Sequence, residues 1–212
     1  MSEGIARALV EIGAIGFSPQ TPIRFKSGIL SPVYVDNRRL PYHPEQWQKV
    51  IEGFEYLIHK EKIRFDVIAG VAVGGVPHSS ALGYAMMRPS VFVRKEAKGH
   101  GKGQRVEGGD IQGKPVLLVE DLVTTGGSSL SGVEALRAEG GIVETLIAII
   151  SYGFEEAQSN FAEANVTLKT LTTFDTILEV ALEMDAITSD ERDIITDWFN
   201  DPHEWADRHS LS

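Results

Sequence analysis

Cysteine is missing from all 212 residues. Its absence removes any disulfide framework, any thiolate metal site and any cysteine nucleophile, and fits a cytoplasmic home. Long apolar runs are missing as well. No stretch approaches the eighteen or so apolar residues of a membrane span, and Met1 to Gly4 carry no basic segment leading into an apolar one, so neither an anchor nor a secretory leader is expected. Positive charge is scarce: 20 Lys and Arg stand against 30 Asp and Glu, a net charge of −10. That balance argues against a general nucleic-acid binder, which needs a basic face. Internal repeats and low-complexity linkers are also lacking. At this length, 42% hydrophobic and 24% charged residues describe one substantial globular domain with a full core.

What is present is organised around Val116 to Ser129. Val116-Leu117-Leu118-Val119 reads as a strand buried on both faces. Glu120 and Asp121 follow at its carboxyl end, then Leu122, Val123, Thr124, Thr125, Gly126, Gly127, Ser128 and Ser129, and then an amphipathic helix from Leu130 to Arg137. Glycines allow a sharp turn and close backbone approach. A helix opening after them presents free N–H groups and a dipole that favour an anion. The loop therefore reads as a phosphate cradle. Carboxylates one step before it would repel a bare polyphosphate but suit the hydroxyls of a sugar. No G-x-x-x-x-G-K-[ST] is present, which excludes a P-loop, and the cradle has no G-x-G-x-x-G. A sugar phosphate with free hydroxyls is the ligand class that fits.

Around this centre the periodicities alternate. Ile5, Ala8, Leu9 and Ile12 predict an opening helix. Phe25 to Arg38 predicts two short strands about a Ser-Gly turn. Pro41 to Lys60 predicts a helix with Trp47, Val50, Ile51, Phe54, Leu57 and Ile58 inward. Asp66 to Val71 predicts a buried strand whose turn at Val73 and Gly74 opens another helix, a second place where bare backbone can meet a phosphate. After a strand at Ser90 to Val93 comes the densest cationic stretch, Arg94 to Gly109, carrying Arg94, Lys95, Lys98, Lys102 and Arg105 among glycines. It lacks apolar periodicity and reads as a loop, a lid for a polyanion. Ile142 to Ile150 and Val166 to Leu171 predict strands, with helices at Phe154 to Ala164 and Thr173 to Met184. A capping box of Thr188 and Glu191 opens a last helix through Phe199. Trp198 and Trp205 are expected to dock this tail. The histidines outside the lid show no metal-ligand spacing. Strand–helix alternation from Asp66 to Ile150 predicts a doubly wound, mainly parallel α/β sheet, with ligands beyond the carboxyl ends of the strands.

Three stretches carry a resemblance. Val116 to Ser129 is similar to the phosphoribosyl-diphosphate signature of type I phosphoribosyltransferases. Phe25-Lys26-Ser27-Gly28 with Ser31-Pro32-x-Tyr34-x-Asp36, and Arg94-Lys95-x-x-Lys98-x-His100-Gly101, resemble the orotate-using members. The resemblance implies a single domain over 1–212, with a hood from about 1–40, a core from about 63–172 and C-terminal helices from about 173–212. It implies transfer of ribose 5-phosphate from phosphoribosyl diphosphate to orotate in pyrimidine biosynthesis, with Mg²⁺ bound mainly through substrate and water and no direct protein ligand. On this reading Arg94, Lys95, Lys98 and His100 are catalytic and clamp the diphosphate. Glu120, Asp121, Leu122, Val123, Thr124, Thr125, Gly126, Gly127 and Ser128, with Val73 and Gly74, bind phosphoribosyl diphosphate. Thr124 and Lys26 bind orotate. A homodimer with shared sites is implied, with no nucleic-acid or membrane partner. One departure stands out: many members carry Asp-Arg after the strand at Ile142 to Ile150, where this chain has Ser151-Tyr152-Gly153-Phe154. Thr124, hood backbone, Lys26 or Arg38 are left to receive the orotate carboxylate.

Overall fold

Apolar residues at helical spacing open the chain as α1 (Ser2–Glu11), with Ala8 and Leu9 wholly buried. The computed structural model describes residues 1–24, 28–96, 104–202 and 204–209. Four short strands follow: β1 (Ile15–Phe17), β2 (Ile23–Arg24), β3 (Leu30–Ser31) and β4 (Val33–Val35). β2 and β3 pair antiparallel, Ile23 facing Ser31, while β4 returns to β1, Val35 facing Ile15. These two small hairpins form the expected hood. A 3₁₀ turn spans Asn37–Tyr42, and α2 (Pro44–Glu61) starts only at Pro44, in its first turn. The helix predicted from Pro41 is thus two elements, because Pro41 lies within the tighter 3₁₀ segment. His78 is buried and accepts a hydrogen bond from Trp47 Nε1 at 3.0 Å, a structural histidine whose pKa burial lowers to about 4.

The core begins with β5 (Val67–Val71), buried at every position, and α3 (Gly75–Ala85). β6 (Ser90–Val93) and β7 (Val106–Glu107) come next, then β8 (Pro115–Val123), α4 (Gly127–Ala138), β9 (Ile142–Ser151), α5 (Glu155–Glu163) and β10 (Thr167–Thr170). The strands form one six-stranded sheet in the order β10–β9–β8–β5–β6–β7, parallel except for β7. β7 corrects the expectation of a continuous loop from Arg94 to Gly109: Val106 and Glu107 pair with Val93 and Phe92. Two residues are too few for a periodicity to show in sequence.

Alternate strand residues serve opposite faces. Ile68, Leu117 and Ile147 join a cluster with α1, α2 and the C-terminal helices, whereas Ala69, Leu118 and Leu146 join one with α4 and α5. Each wholly buried Leu or Ile contributes about 1.5–3 kcal/mol relative to exposure. Leu82 of α3 lies with the first cluster and Val133 of α4 with the second. The helices leaving neighbouring strands β5 and β8 therefore go to opposite faces. That divergence opens a crevice at the carboxyl ends of these two strands, the switch point where open α/β sheets bind ligands.

The chain closes with α6 (Phe174–Glu183), α7 (Ser189–Asn200) and a short α8 (Trp205–Arg208) beyond the predicted last helix. The capping box is formed in both directions: Glu191 N–H donates to Thr188 Oγ1 at 3.2 Å and Thr188 N–H to Glu191 Oε2 at 2.9 Å. Trp198 and Trp205 are both wholly buried. Trp198 Nε1 donates to Leu30 O at 2.8 Å, so the C-terminal tail holds the hood down.

Candidate active site

Glu120 and Asp121 stand where β8 reaches the crevice. Glu120 is only 4% exposed. Burial, and then the neighbouring Asp121 charge, push its carboxyl up to about 8, against a 3.2 Å hydrogen bond donated by Ser129 Oγ. Asp121 is also raised by burial, while the nearby Arg38 charge opposes the rise. Its backbone carbonyl accepts a 2.7 Å bond from Asn37 Nδ2, which ties the hood's exit to the acid pair.

The β5–α3 turn lies against the same pair. A methyl group added at Gly74 would fall on the Asp121 carboxylate, and one at Gly75 on the Val119 carbonyl. Only glycine lets the two turns approach this closely. The Ala72–Val73 peptide bond is cis, and the Val73 side chain is largely exposed. Backbone is what this turn offers to a ligand.

After β8, Gly126 adopts φ of +87°, and a Cβ there would meet the Phe161 ring at 2.9 Å. Conformation and space thus both demand glycine. Asn160 Nδ2 donates to Thr125 O at 3.1 Å and fixes the loop. Leu130 N–H donates to Gly126 O at 2.8 Å, closing the first turn of α4. No side chain caps this helix, and Gly127 and Ser128 are exposed. The first-turn N–H groups and the dipole therefore face the crevice as an anion site. Leu122 and Val123 complete the strand and turn inward, so they offer backbone only.

Arg94 directly follows β6, the neighbour of β5, and thus borders the same end of the sheet. Its Nη1 pairs with Glu107 at 3.1 Å. The stem of the basic excursion is anchored on α4 and just beyond it. Arg105 Nη1 donates to Ser131 O and Oγ at 3.1 and 3.0 Å, Arg105 Nε to Arg94 O at 2.8 Å, and Glu139 Oε1 accepts from Arg105 and Val106 N–H at 2.9 and 3.0 Å. Lys95 is exposed on this stem. Lys26, Lys98 and His100 lie outside the described residues.

The structure thus gathers Val73, Gly74 and every expected residue from Glu120 to Ser128 at one crevice. It adds Asn37, Ser129, Asn160 and Glu139, supporting side chains that the sequence reading did not single out for these roles. Ser129 had a signal, standing beside Ser128 at a helix opening; the others act across 33 to 84 residues of chain. A cavity of about 940 Å³ opens beside Thr124 and Thr125, under Ile29 of the hood and against Tyr152 and Phe174. It falls in the size range of small-molecule sites. Another, of about 380 Å³, lies at the opposite ends of the strands, beside the Glu61–Lys169 ion pair and remote from the acid pair.

This geometry agrees with what the chain resembles. The model of the phosphoribosyl transferase domain matches residues 42–165. The chain belongs to the phosphoribosyl transferase family. An orotate phosphoribosyltransferase of Coxiella burnetii is 40% identical over 201 residues, 95% of this chain and 96% of that protein. One from Enterococcus faecalis is 36% identical over 205 residues, 97% of this chain and 98% of that protein. Among solved structures, orotate phosphoribosyltransferase from Aeropyrum pernix superposes with a TM-score of 0.75 at 31% identity, covering 87% of this chain and 99% of that one. Leishmania donovani UMP synthase gives 0.81 at 26% identity, covering 94% of this chain and 42% of that longer one. The matched residues include the β8 acid pair and the loop after it, which stand at the switch point of the sheet.

Proposed function

We propose that this phosphoribosyltransferase moves ribose 5-phosphate from phosphoribosyl diphosphate to a ring nitrogen of orotate. The products are orotidine 5′-phosphate and pyrophosphate, in the pyrimidine pathway. The observation that carries the reading is the meeting of an uncapped helix start, an acid pair whose Glu120 is buried and a turn that Gly74 and Gly75 bring against that pair. The N–H groups and hydroxyls of Thr124 to Ser128 take the 5′-phosphate. Glu120 and Asp121 accept hydrogen bonds from the ribose 2′- and 3′-hydroxyls. The backbone at Val73 and Gly74 lies along the diphosphate. Arg94, Lys95, Lys98 and His100 close on the leaving pyrophosphate and exclude water, with Lys26 and Thr124 toward the base. As the anomeric C–O bond breaks, negative charge grows on the diphosphate, so these cations act where charge develops. Removing one such donor costs about 3 kcal/mol of barrier, roughly a hundredfold in rate.

Among the described residues, no group of three or more His, Cys, Asp or Glu could hold a metal. Two adjacent carboxylates are the hard oxygens on offer, a donor set that fits Mg²⁺ held mainly by substrate and water. Held there beside Glu120 and Asp121, Mg²⁺ would supply counter-charge to the diphosphate. No helix among the described residues is long and apolar enough to cross a membrane, and a cytoplasmic setting is proposed with the cysteine-free composition.

The reading extends to one unit over 1–212, with its hood from about 1–40, and to a homodimer in which the lid of one subunit serves the other's crevice. Mixing a lid-dead variant (Lys98→Ala) with a cradle-dead one (Asp121→Asn) then restores part of the activity; no recovery despite proven subunit exchange refutes shared sites. The reaction is tested by following orotate absorbance with Mg²⁺ and phosphoribosyl diphosphate, and by repeating the assay with uracil and purines. Loss with orotate alone is expected. Turnover with another base instead would overturn the assignment of the acceptor.

A further inference from the structure

Orotate is an anion, and among the described residues no cation lines the cavity beside Thr124 and Thr125. Its described charged lining is Glu155, Glu156 and Asp175. A carboxylate turned into that space meets charge of its own sign. The described side chains that could offer it a counter-charge are those of the hood.

The described cations of the hood sort themselves. Arg24 Nη1 is spent on Gly28 O at 3.0 Å and Arg39 Nη1 on Gly13 O at 2.9 Å. Arg38 differs. It follows Asn37, whose wholly buried side chain is tied to Asp121 O, so residue 38 leaves the backbone beside the acid pair. Its guanidinium is close enough to Asp121 to be felt by that carboxyl. Nε is held by Asp36 Oδ1 at 2.5 Å, with the Tyr34 hydroxyl close by, while 61% of the side chain stays exposed. Asp36 is itself fixed, its N–H donating to Ala14 O at 2.7 Å. A guanidinium gripped at Nε presents its Nη1–Nη2 edge, and two parallel N–H groups match a carboxylate.

We propose that Arg38 holds the carboxylate of the pyrimidine acceptor, with Asp36 as the positioning residue that aims it. This inference rests on the orotate reading above. It makes the hood the place where an acidic pyrimidine is told from a neutral one.

The test uses the full-length enzyme with Mg²⁺ and phosphoribosyl diphosphate, comparing wild type, Arg38→Ala, Arg38→Lys and Asp36→Ala. Uracil, the same ring without the carboxylate, serves as a competitive inhibitor. In Arg38→Ala the KM for orotate rises about ten- to a hundredfold, the loss expected for a charge-assisted pair. The inhibition constant of uracil and the Kd for phosphoribosyl diphosphate stay within about twofold, which also shows that the fold is intact. Arg38→Lys recovers part of the affinity, and Asp36→Ala weakens orotate by a smaller factor. An unchanged orotate KM in Arg38→Ala overturns the proposal. So does an equal loss for uracil or phosphoribosyl diphosphate, which would make Arg38 a general support of the hood. Wild-type enzyme that binds phosphoribosyl diphosphate but not orotate would overturn the acceptor reading and this inference together.

Discussion

Replacing Glu120 with Gln should make the protein more stable and less active, and the stability effect should grow with pH. Burial and the Asp121 charge raise the Glu120 carboxyl from its ordinary 4.5 to about 8. Between those values the native state keeps a proton that the unfolded chain has released. Stability therefore falls as pH rises through this window, the sign expected for an acid whose folded pKa is raised. The whole window is worth roughly 5 kcal/mol, and the part between pH 5 and pH 7 roughly 2 to 3 kcal/mol. Gln has the same shape, keeps an oxygen for Ser129 Oγ and never ionises. Urea unfolding of both proteins at pH 5, 6, 7 and 8 isolates the term, because all other titrating groups are common to the pair. The wild-type midpoint should fall relative to the variant by about 1 M urea from pH 5 to pH 7, taking a slope of about 2–3 kcal/mol/M. Activity should fall about ten- to a hundredfold as a ribose-hydroxyl acceptor is lost. Parallel midpoint profiles for the two proteins would refute the reasoning that burial holds this carboxyl near neutrality.

Three further outcomes follow from named contacts. Trp198→Phe removes the buried hydrogen bond to Leu30 O, at a cost of about 1–3 kcal/mol; chemical denaturation reads the loss, and a raised KM for orotate should accompany it as the hood loosens. Gly74→Ala places a methyl group on the Asp121 carboxylate and must displace it, so kcat/KM for phosphoribosyl diphosphate should drop about tenfold or more, read by initial rates. Glu139→Ala frees the Arg105 and Val106 N–H groups at the lid stem; kcat should fall several-fold while near-ultraviolet circular dichroism of the core stays unchanged.

The parts of this molecule legible in sequence are those whose cause is local or periodic. The run Val116 to Val119, the acid pair and the glycine turn predict β8, the cradle and α4 because each step has a short-range physical reason. The capping box at Thr188 and Glu191 is legible for the same reason. The parts not legible depend on distant chain. β1 and β7 have three and two residues and exist by pairing with β4 and β6. The 3₁₀ turn before α2 looks like helix because its apolar spacing continues into Pro44. Asn37, Asn160 and Glu139 are ordinary polar residues until the fold brings Asp121, Thr125 and Val106 to them. The strand, turn and helix that carry the candidate site were thus readable, and the distant side chains that brace them were not.

Ribose 5-phosphate transfer to orotate at the crevice between β5 and β8 is tested most directly by its products. Wild-type enzyme and Asp121→Asn should be incubated with Mg²⁺, phosphoribosyl diphosphate and orotate, and both products quantified. Orotidine 5′-phosphate and pyrophosphate are expected in equal amounts from the wild type, and a rate roughly a hundredfold lower from the variant. No nucleotide from the wild type, or equal rates from the two proteins, would contradict it.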